Sequence, residues 1–153
     1  MQDSQGTHVI EKLILCFDEM NNREIIEYII ENFVAFANNI NSLCIVKKLI
    51  IISKNYEIRR KILEKIINNL DKLIQNAHGN YSIQVALEIS DGFYAQPIIN
   101  EISGRYHKYS LLKYSSNVVE RCLEIGGEMV VNRFIEEICQ KNKVLGKIEY
   151  LFK

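Results

Sequence analysis

The chain has 153 residues, of which 48% are hydrophobic and 25% charged, so it can bury a real core and is no disordered segment. One proline, seven glycines and no tryptophan argue against a many-turned all-β fold. Nineteen basic residues balance nineteen acidic ones, which excludes a protein that grips nucleic acid by bulk charge alone. Any such contact must rest on placed residues.

Cys16, Cys44, Cys122 and Cys139 form no C-x-x-C pair and fit neither a zinc module nor a disulfide scaffold. They read as buried free thiols of a reducing compartment. The N-terminus lacks the basic and apolar regions of a signal peptide, and the longest apolar run, Leu49 to Ile52, is far too short to span a bilayer. A soluble, intracellular chain with no membrane contact is expected.

Helical elements follow in chain order. Ile25, Ile26, Ile29, Ile30 and Phe33 recur at helical spacing, and Ile58, Ile62, Leu63, Ile66, Ile67 and Leu70 repeat the design. Period 3.6 wins over period 2 despite the β-branched composition. Four segments then align: GTHVIEKLI from Gly6, SLCIVKKLI from Ser42, GNYSIQVAL from Gly79 and SSNVVERCL from Ser115, with starts 36, 37 and 36 residues apart. A second amphipathic stretch follows each one, at 24–33, 58–70, 97–105 and 130–138. Short helices near 34–39, 72–75 and 109–113 lead into the next unit. The small residue opening each segment suits a tight helix start. A period held to within one residue predicts an all-α solenoid.

On a helical wheel of about 100° per residue, Val9, Ile10, Leu13 and Ile14 share the core half of the first segment. Thr7, His8, Glu11 and Lys12 share the other half. The same outer half holds Leu43, Cys44, Lys47 and Lys48 in the second unit, Asn80, Tyr81, Gln84 and Val85 in the third, and Ser116, Asn117, Glu120 and Arg121 in the fourth. Residues four apart on a helix reach the same way. Asn80 with Gln84 therefore offers two amides side by side, and Ser116 with Glu120 a hydroxyl and a carboxylate. Such pairs suit the pairing edge of one unstacked base, with Tyr81 or His8 supplying a stacking face.

Asn80-Tyr81-x-x-Gln84 and Ser116-Asn117-x-x-Glu120, 36 residues apart, resemble Pumilio (PUF) repeats. The resemblance implies a right-handed α-helical solenoid of three-helix repeats, a curved crescent, with single-stranded RNA antiparallel along the concave face and one base per repeat. It implies base-edge contacts from Thr7, Glu11, Leu43, Lys47, Asn80, Gln84, Ser116 and Glu120. Stacking would come from His8, Cys44, Tyr81 and Asn117, and Lys12, Lys48 and Arg121 are candidate phosphate contacts. In that family Asn with Gln reads uracil and Ser with Glu reads guanine, so the last two repeats should read 5′-GU-3′, within a UGU element. Thr7, His8 and Glu11 resemble a guanine reader. Leu43 cannot hydrogen-bond and Lys47 only donates, so the second rung departs from the pattern.

The resemblance further implies repression or decay of messenger RNAs through their 3′ untranslated regions, with a deadenylase complex or a Nanos-like protein as partner, in the cytoplasm. A nucleolar, ribosome-assembly PUF-like factor is the related alternative. Repeats are expected at about 1–33, 34–70, 71–106 and 107–142 of one partial Pumilio homology domain. Leu145, Ile148, Leu151 and Phe152 suggest the start of a further unit, so the chain reads as a four-repeat fragment. No catalytic triad, phosphate loop or metal-ligand pattern argues for an enzyme, a metal or a cofactor. The competing class is an armadillo- or HEAT-like solenoid that binds a peptide, favoured by neutral charge but opposed by a period shorter than the roughly 40–47 residues of those families.

Overall fold

The computed structural model describes residues 4–16 and 21–145, with side chains described over 6–15 and 21–140. The side chains of Cys16 and Leu145, and the whole of Ile148, Leu151 and Phe152, lie outside the described residues.

Ten helices and no strand occupy the described residues: α1 (Ser4–Cys16), α2 (Arg23–Glu31), α3 (Phe33–Ala37), α4 (Leu43–Ile52), α5 (Tyr56–Asn68), α6 (Leu70–Ile74), α7 (Gly79–Leu87), α8 (Ala95–Ile102), α9 (Tyr106–Ser110) and α10 (Ser115–Leu145). The set short helix, first helix, second helix recurs as α3–α4–α5, α6–α7–α8 and α9–α10. Within α10, Gly127 leaves helical geometry at φ 62° and ψ −161°, a region open in practice only to glycine. The fourth unit thus turns from its first to its second helix at one residue, without a loop.

First helices pack side by side, α1 on α4, α4 on α7 and α7 on α10, while α2 rests on α5 and the short helices α3 and α6 touch each other. Between the rows lies a continuous apolar core that includes Ile45, Leu49, Ile62, Ile66, Leu73 and Ile98, with Tyr94, Tyr106 and Tyr109 wholly buried. Each such side chain is worth roughly 1.5–3 kcal/mol over exposure.

The abundant asparagines build the corners. Asn32 and Asn69 end α2 and α5 by donating Nδ2 to the carbonyl four residues back, Tyr28 at 2.9 Å and Lys65 at 3.0 Å. Arg105 does the same to Glu101 after α8, at 2.5 Å. Asn39 and Asn76 each accept two backbone N–H groups just before the next first helix: those of Asn41 and Ser42 for Asn39, and those of His78 and Gly79 for Asn76. These short polar side chains satisfy groups that a helix end otherwise leaves open.

Three of the four small residues have a different reason from a tight start, while Gly6 lies inside α1, which begins at Ser4, with nothing within 4 Å of an added Cβ. Ser42 and Ser115 make no cap of their own helix; each hydroxyl donates to the carbonyl six residues back, Phe36 at 2.9 Å and Tyr109 at 2.7 Å. At Gly79 the matching carbonyl, Leu73, would stand 2.9 Å from an added Cβ, and the Asn38 amide oxygen 2.2 Å away. The short helix presses against the start of the next one, and only glycine or a hydroxyl that can bond fits there.

Three expectations shift. Val9, assigned to the core, is 60% exposed, whereas its register mates Ile45, Ser82 and Val118 are fully buried; α1 is first in the described row and has a neighbour on one side only. The short helix expected at 109–113 begins at Tyr106, because the Glu137 carboxylate of the last helix accepts the Tyr106 and His107 N–H groups, both at 3.1 Å. Of the cysteines expected to be buried, Cys122 is, Cys44 is half-buried, and Cys139 is exposed. Burial pushes the Cys122 thiol up to about 12, out of the reactive range.

Candidate nucleic-acid interface

Because the first helices lie in one row, their outer halves form a ladder. On the third rung Tyr81 projects with 46% of its surface exposed, while Asn80 beside it is 1% exposed. The Asn80 amide nitrogen donates to the carbonyls of Asn76 at 2.8 Å and Ala77 at 3.0 Å. Its oxygen accepts from Gln84 Nε2 at 2.8 Å. The structure therefore joins the two amides, but it holds Asn80 beneath the surface with both donor hydrogens engaged, and leaves the half-buried Gln84 as the outward member.

The fourth rung is more open. Ser116 donates to the Lys113 carbonyl at 3.3 Å, the same backward step of three residues that Asn80 makes to Ala77. Asn117 and Glu120 are exposed. Arg121, a candidate phosphate contact, lies 3.3 Å from the Glu88 carboxylate of the third unit and 2.7 Å from Glu124, so a phosphate would have to compete with two carboxylates.

On the first rung Thr7 is 2% exposed. The His8 ring, 77% exposed, stands 3.7 Å from the Glu11 carboxylate. Lys12 is exposed on the next position. The second rung brings no polar pair together: Leu43, Cys44, Lys47 and Lys48 are all half-buried. The Cys44 thiol donates to the Asn41 carbonyl at 3.3 Å. Partial burial pushes that thiol up, and the nearby Glu11 carboxylate adds to the effect.

Sequence reasoning missed the acceptors beneath the third rung. Asn76, four residues before Asn80, was the available signal, since a turn asparagine directs the carbonyls that follow it. Among the described residues no group of three or more histidine, cysteine or acidic side chains could hold a metal ion, and no helix is long and apolar enough to cross a membrane.

The model of the Pumilio-family RNA binding repeat matches residues 1–30, 69–103 and 113–139, more than half of the chain and three of its four rungs. The chain belongs to the Pumilio family. The match skips residues 31–68, which contain the second rung with Leu43 and Lys47, the departure already visible in its chemistry. Among curated relatives, the chain is 34% identical over 128 residues to the suppressor protein MPT5 of Saccharomyces cerevisiae, covering 81% of this chain and 15% of that protein. It is 31% identical over 123 residues to the putative pumilio homolog 8 of Arabidopsis thaliana, covering 80% and 24%. The Pumilio chain thus spans a quarter or less of these relatives' length.

Solved structures agree on architecture. The RNA-binding domain of yeast Puf5p bound to SMX2 RNA superposes with a TM-score of 0.70 at 28% identity, over 91% of this chain and 42% of that one. The Puf4 RNA binding domain bound to an HO endonuclease 3′ UTR recognition sequence gives 0.81 at 23% identity, over 92% and 44%, a likeness of fold. Pumilio repeats stack here as a curved all-α solenoid, and the family assignment replaces the armadillo- or HEAT-type alternative.

Proposed function

We propose that this chain binds single-stranded RNA along the row of first helices, one base per repeat, with the third and fourth rungs reading 5′-GU-3′. The observation that carries this reading is the joined Asn80–Gln84 pair beside the exposed Tyr81 ring, with Ser116, Asn117 and Glu120 at the matching places one unit later. A planar ring next to paired polar groups supplies stacking and edge recognition to one unstacked base. His8 with Glu11 supplies a further ring and acceptor at the first rung. The second rung spans a position without reading it, because an alkyl group and an ammonium cannot complement a pairing edge that needs an acceptor. Lys12 and Lys48 hold the phosphates.

Repeats divide the chain at about 33/34, 70/71 and 106/107. In the whole protein, such binding would select messenger RNAs by their 3′ untranslated regions for repression or decay in the cytoplasm, through a deadenylase complex or a Nanos-like partner. That the Puf5p domain was solved with RNA supports the RNA-binding part of this reading.

The test is selection from a randomised RNA pool by this chain, followed by affinity measurement across salt. Enrichment of 5′-GU with a shallow salt dependence is expected, since few lysines meet phosphate. A selected pool without 5′-GU, or binding insensitive to Tyr81→Ala and Gln84→Ala, would overturn it.

A further inference from the structure

Whatever the rungs bind, we infer that the two ends of this array fit each other: a second copy of the chain seats its first unit on the fourth unit of the first copy, in the register of the internal junctions.

Burial along the repeat shows which side of a first helix each neighbour covers. Three residues after each small residue stand Val9, Ile45, Ser82 and Val118; the last three are fully buried, and Val9 is exposed. Leu13 is likewise half-buried where Leu49, Ala86 and Cys122 are at full burial. Val9 and Leu13 therefore mark the side that a preceding unit covers. At the other end Leu123 is half-buried, although Ile14, Ile50 and Leu87 in its register are buried. Glu120 is exposed where Glu11, Lys47 and Gln84 are half-buried. Leu123 and Glu120 mark the side that a following unit covers. Among the described residues both sides lie open, one at each end of the row. They are the two halves of a junction that the first helices already make three times.

Charge complements the fit. Where the third unit meets the fourth, Arg121, six residues after Ser115, lies 3.3 Å from Glu88, nine residues after Gly79. The corresponding positions at the open ends are Lys12, six after Gly6, and Glu124, nine after Ser115. Lys12 is exposed. Glu124 already holds Arg121 at 2.7 Å, yet 53% of its side chain is exposed. A copy seated on the fourth unit thus sets Lys12 against Glu124 as Arg121 is set against Glu88. At the other two junctions these places hold Leu15 with Lys48 and Ile51 with Val85. The repeat by itself therefore does not impose opposite charges there.

The second helices give an independent match. Glu27, next after the buried Ile26, accepts from Lys61 Nζ at 2.5 and 2.8 Å, and Lys61 stands just before the buried Ile62. On the last helix the residue next after the buried Val130 is Val131, and Ile135 follows it by one turn; both are exposed. The residue just before Ile26 is the half-buried Ile25. The acid and the base of the internal junction are thus both replaced by apolar residues at the open ends. A carboxylate at 131 would face Ile25 unpaired, and a lysine at 25 would face Val131 unpaired; as they stand, each covers the other from water.

Because the contact joins unlike ends, it is heterologous and leaves one free end on each partner, so association runs on past the dimer. Each added copy continues the row of first helices.

Sedimentation velocity of the whole chain across concentration tests this, with Val9→Asp to block the first end and Ile135→Asp to block the last. Both positions are exposed, and circular dichroism checks that each variant is folded. Wild type should give a concentration-dependent series of dimers and longer oligomers. Each blocked variant alone should stay monomeric, and an equimolar mixture should give a dimer that grows no further, since it holds one intact junction. Lys12→Glu or Glu124→Lys alone should weaken association by about threefold or more at low salt, and both reversals in one chain should restore it; this pair carries the test if a blocked variant does not fold. A wild type that is monomeric at every concentration overturns the inference and leaves both faces to a different protein. A dimer that never grows, blocked variants that do not pair when mixed, or reversals that do not rescue each other would overturn it as well.

Discussion

The phenol of Tyr109 donates to the carboxylate of Asp71 at 2.8 Å, from the short helix of one unit to the short helix of the unit before it. Lys108 reaches the same carboxylate at 2.9 Å and Arg105 at 3.1 Å. Asp71 thus gathers three donors from 34 to 38 residues further along the chain. The Lys108 ammonium, the Tyr109 hydroxyl and the Arg105 charge hold its carboxyl below the usual carboxylate range.

Acid should therefore loosen this joint, and the sign follows from the direction of the shift. A carboxyl held low in the folded chain contributes stability above its unfolded value of about 3.9 and loses it as pH falls through the lower folded value. Half of the Asp71 side chain is exposed, so the contribution is about 1 kcal/mol or less. Comparing wild type with Asp71→Asn by urea denaturation across pH should show a stability gap near neutrality that closes as pH falls below the usual carboxylate range. Tyr109→Phe should narrow the gap. A gap constant with pH would assign the effect of Asp71→Asn to packing instead.

Gly79→Ala should lower stability by about 1–3 kcal/mol, because the added methyl meets the Leu73 carbonyl, which is backbone and cannot swing aside. Gly6→Ala is the control: nothing lies within 4 Å of its added Cβ. The variant should be neutral or more stable, by up to about 1 kcal/mol. Paired thermal melts of the two variants decide it.

Tyr81→Ala should weaken RNA binding by roughly 1–3 kcal/mol while leaving the order of preference among bases as it was. Titration of RNAs carrying each of the four bases opposite the third rung reads both quantities. A changed order would give Tyr81 a part in identity as well as affinity.

The double change Asn80→Ser with Gln84→Glu should convert the third rung from uracil to guanine. Guanine offers adjacent N–H groups at N1 and N2, which one carboxylate can accept together, whereas an ionised Glu facing a uracil carbonyl leaves acceptor against acceptor at a cost of about 1–3 kcal/mol. Competition between 5′-GU and 5′-GG RNAs measures the exchange, and retained uracil preference would disqualify these two positions as determinants.

Much of this was legible in the sequence, because the repeat and the helical period are local. Ile62 and Ile66, one turn apart, both lie at full burial, as their helical spacing implied. The start of α9 was not legible: it depends on Glu137, 31 residues further along. Nor was the exposure of Val9, whose sequence environment matches that of Ile45; only the presence of a neighbouring helix separates them. At the third rung, the closeness of Asn80 and Gln84 followed from their spacing of four. The engagement of Asn80 by backbone carbonyls did not, since the direction of a carbonyl belongs to the turn, of which the turn asparagine Asn76 is the one trace in the sequence.

The bonds between units also decide how the chain comes apart. Lys61 with Glu27, and Lys108 and Tyr109 with Asp71, each bridge 34 to 38 residues, one unit and no more. Information about foldedness then passes only from neighbour to neighbour, as in a one-dimensional lattice. A lesion such as Asp71→Asn weakens one coupling constant and leaves the others intact, so its cost falls on one junction while the apolar core still spans it. What a single broken cross-bridge reduces first is the cooperativity between the two units it joined.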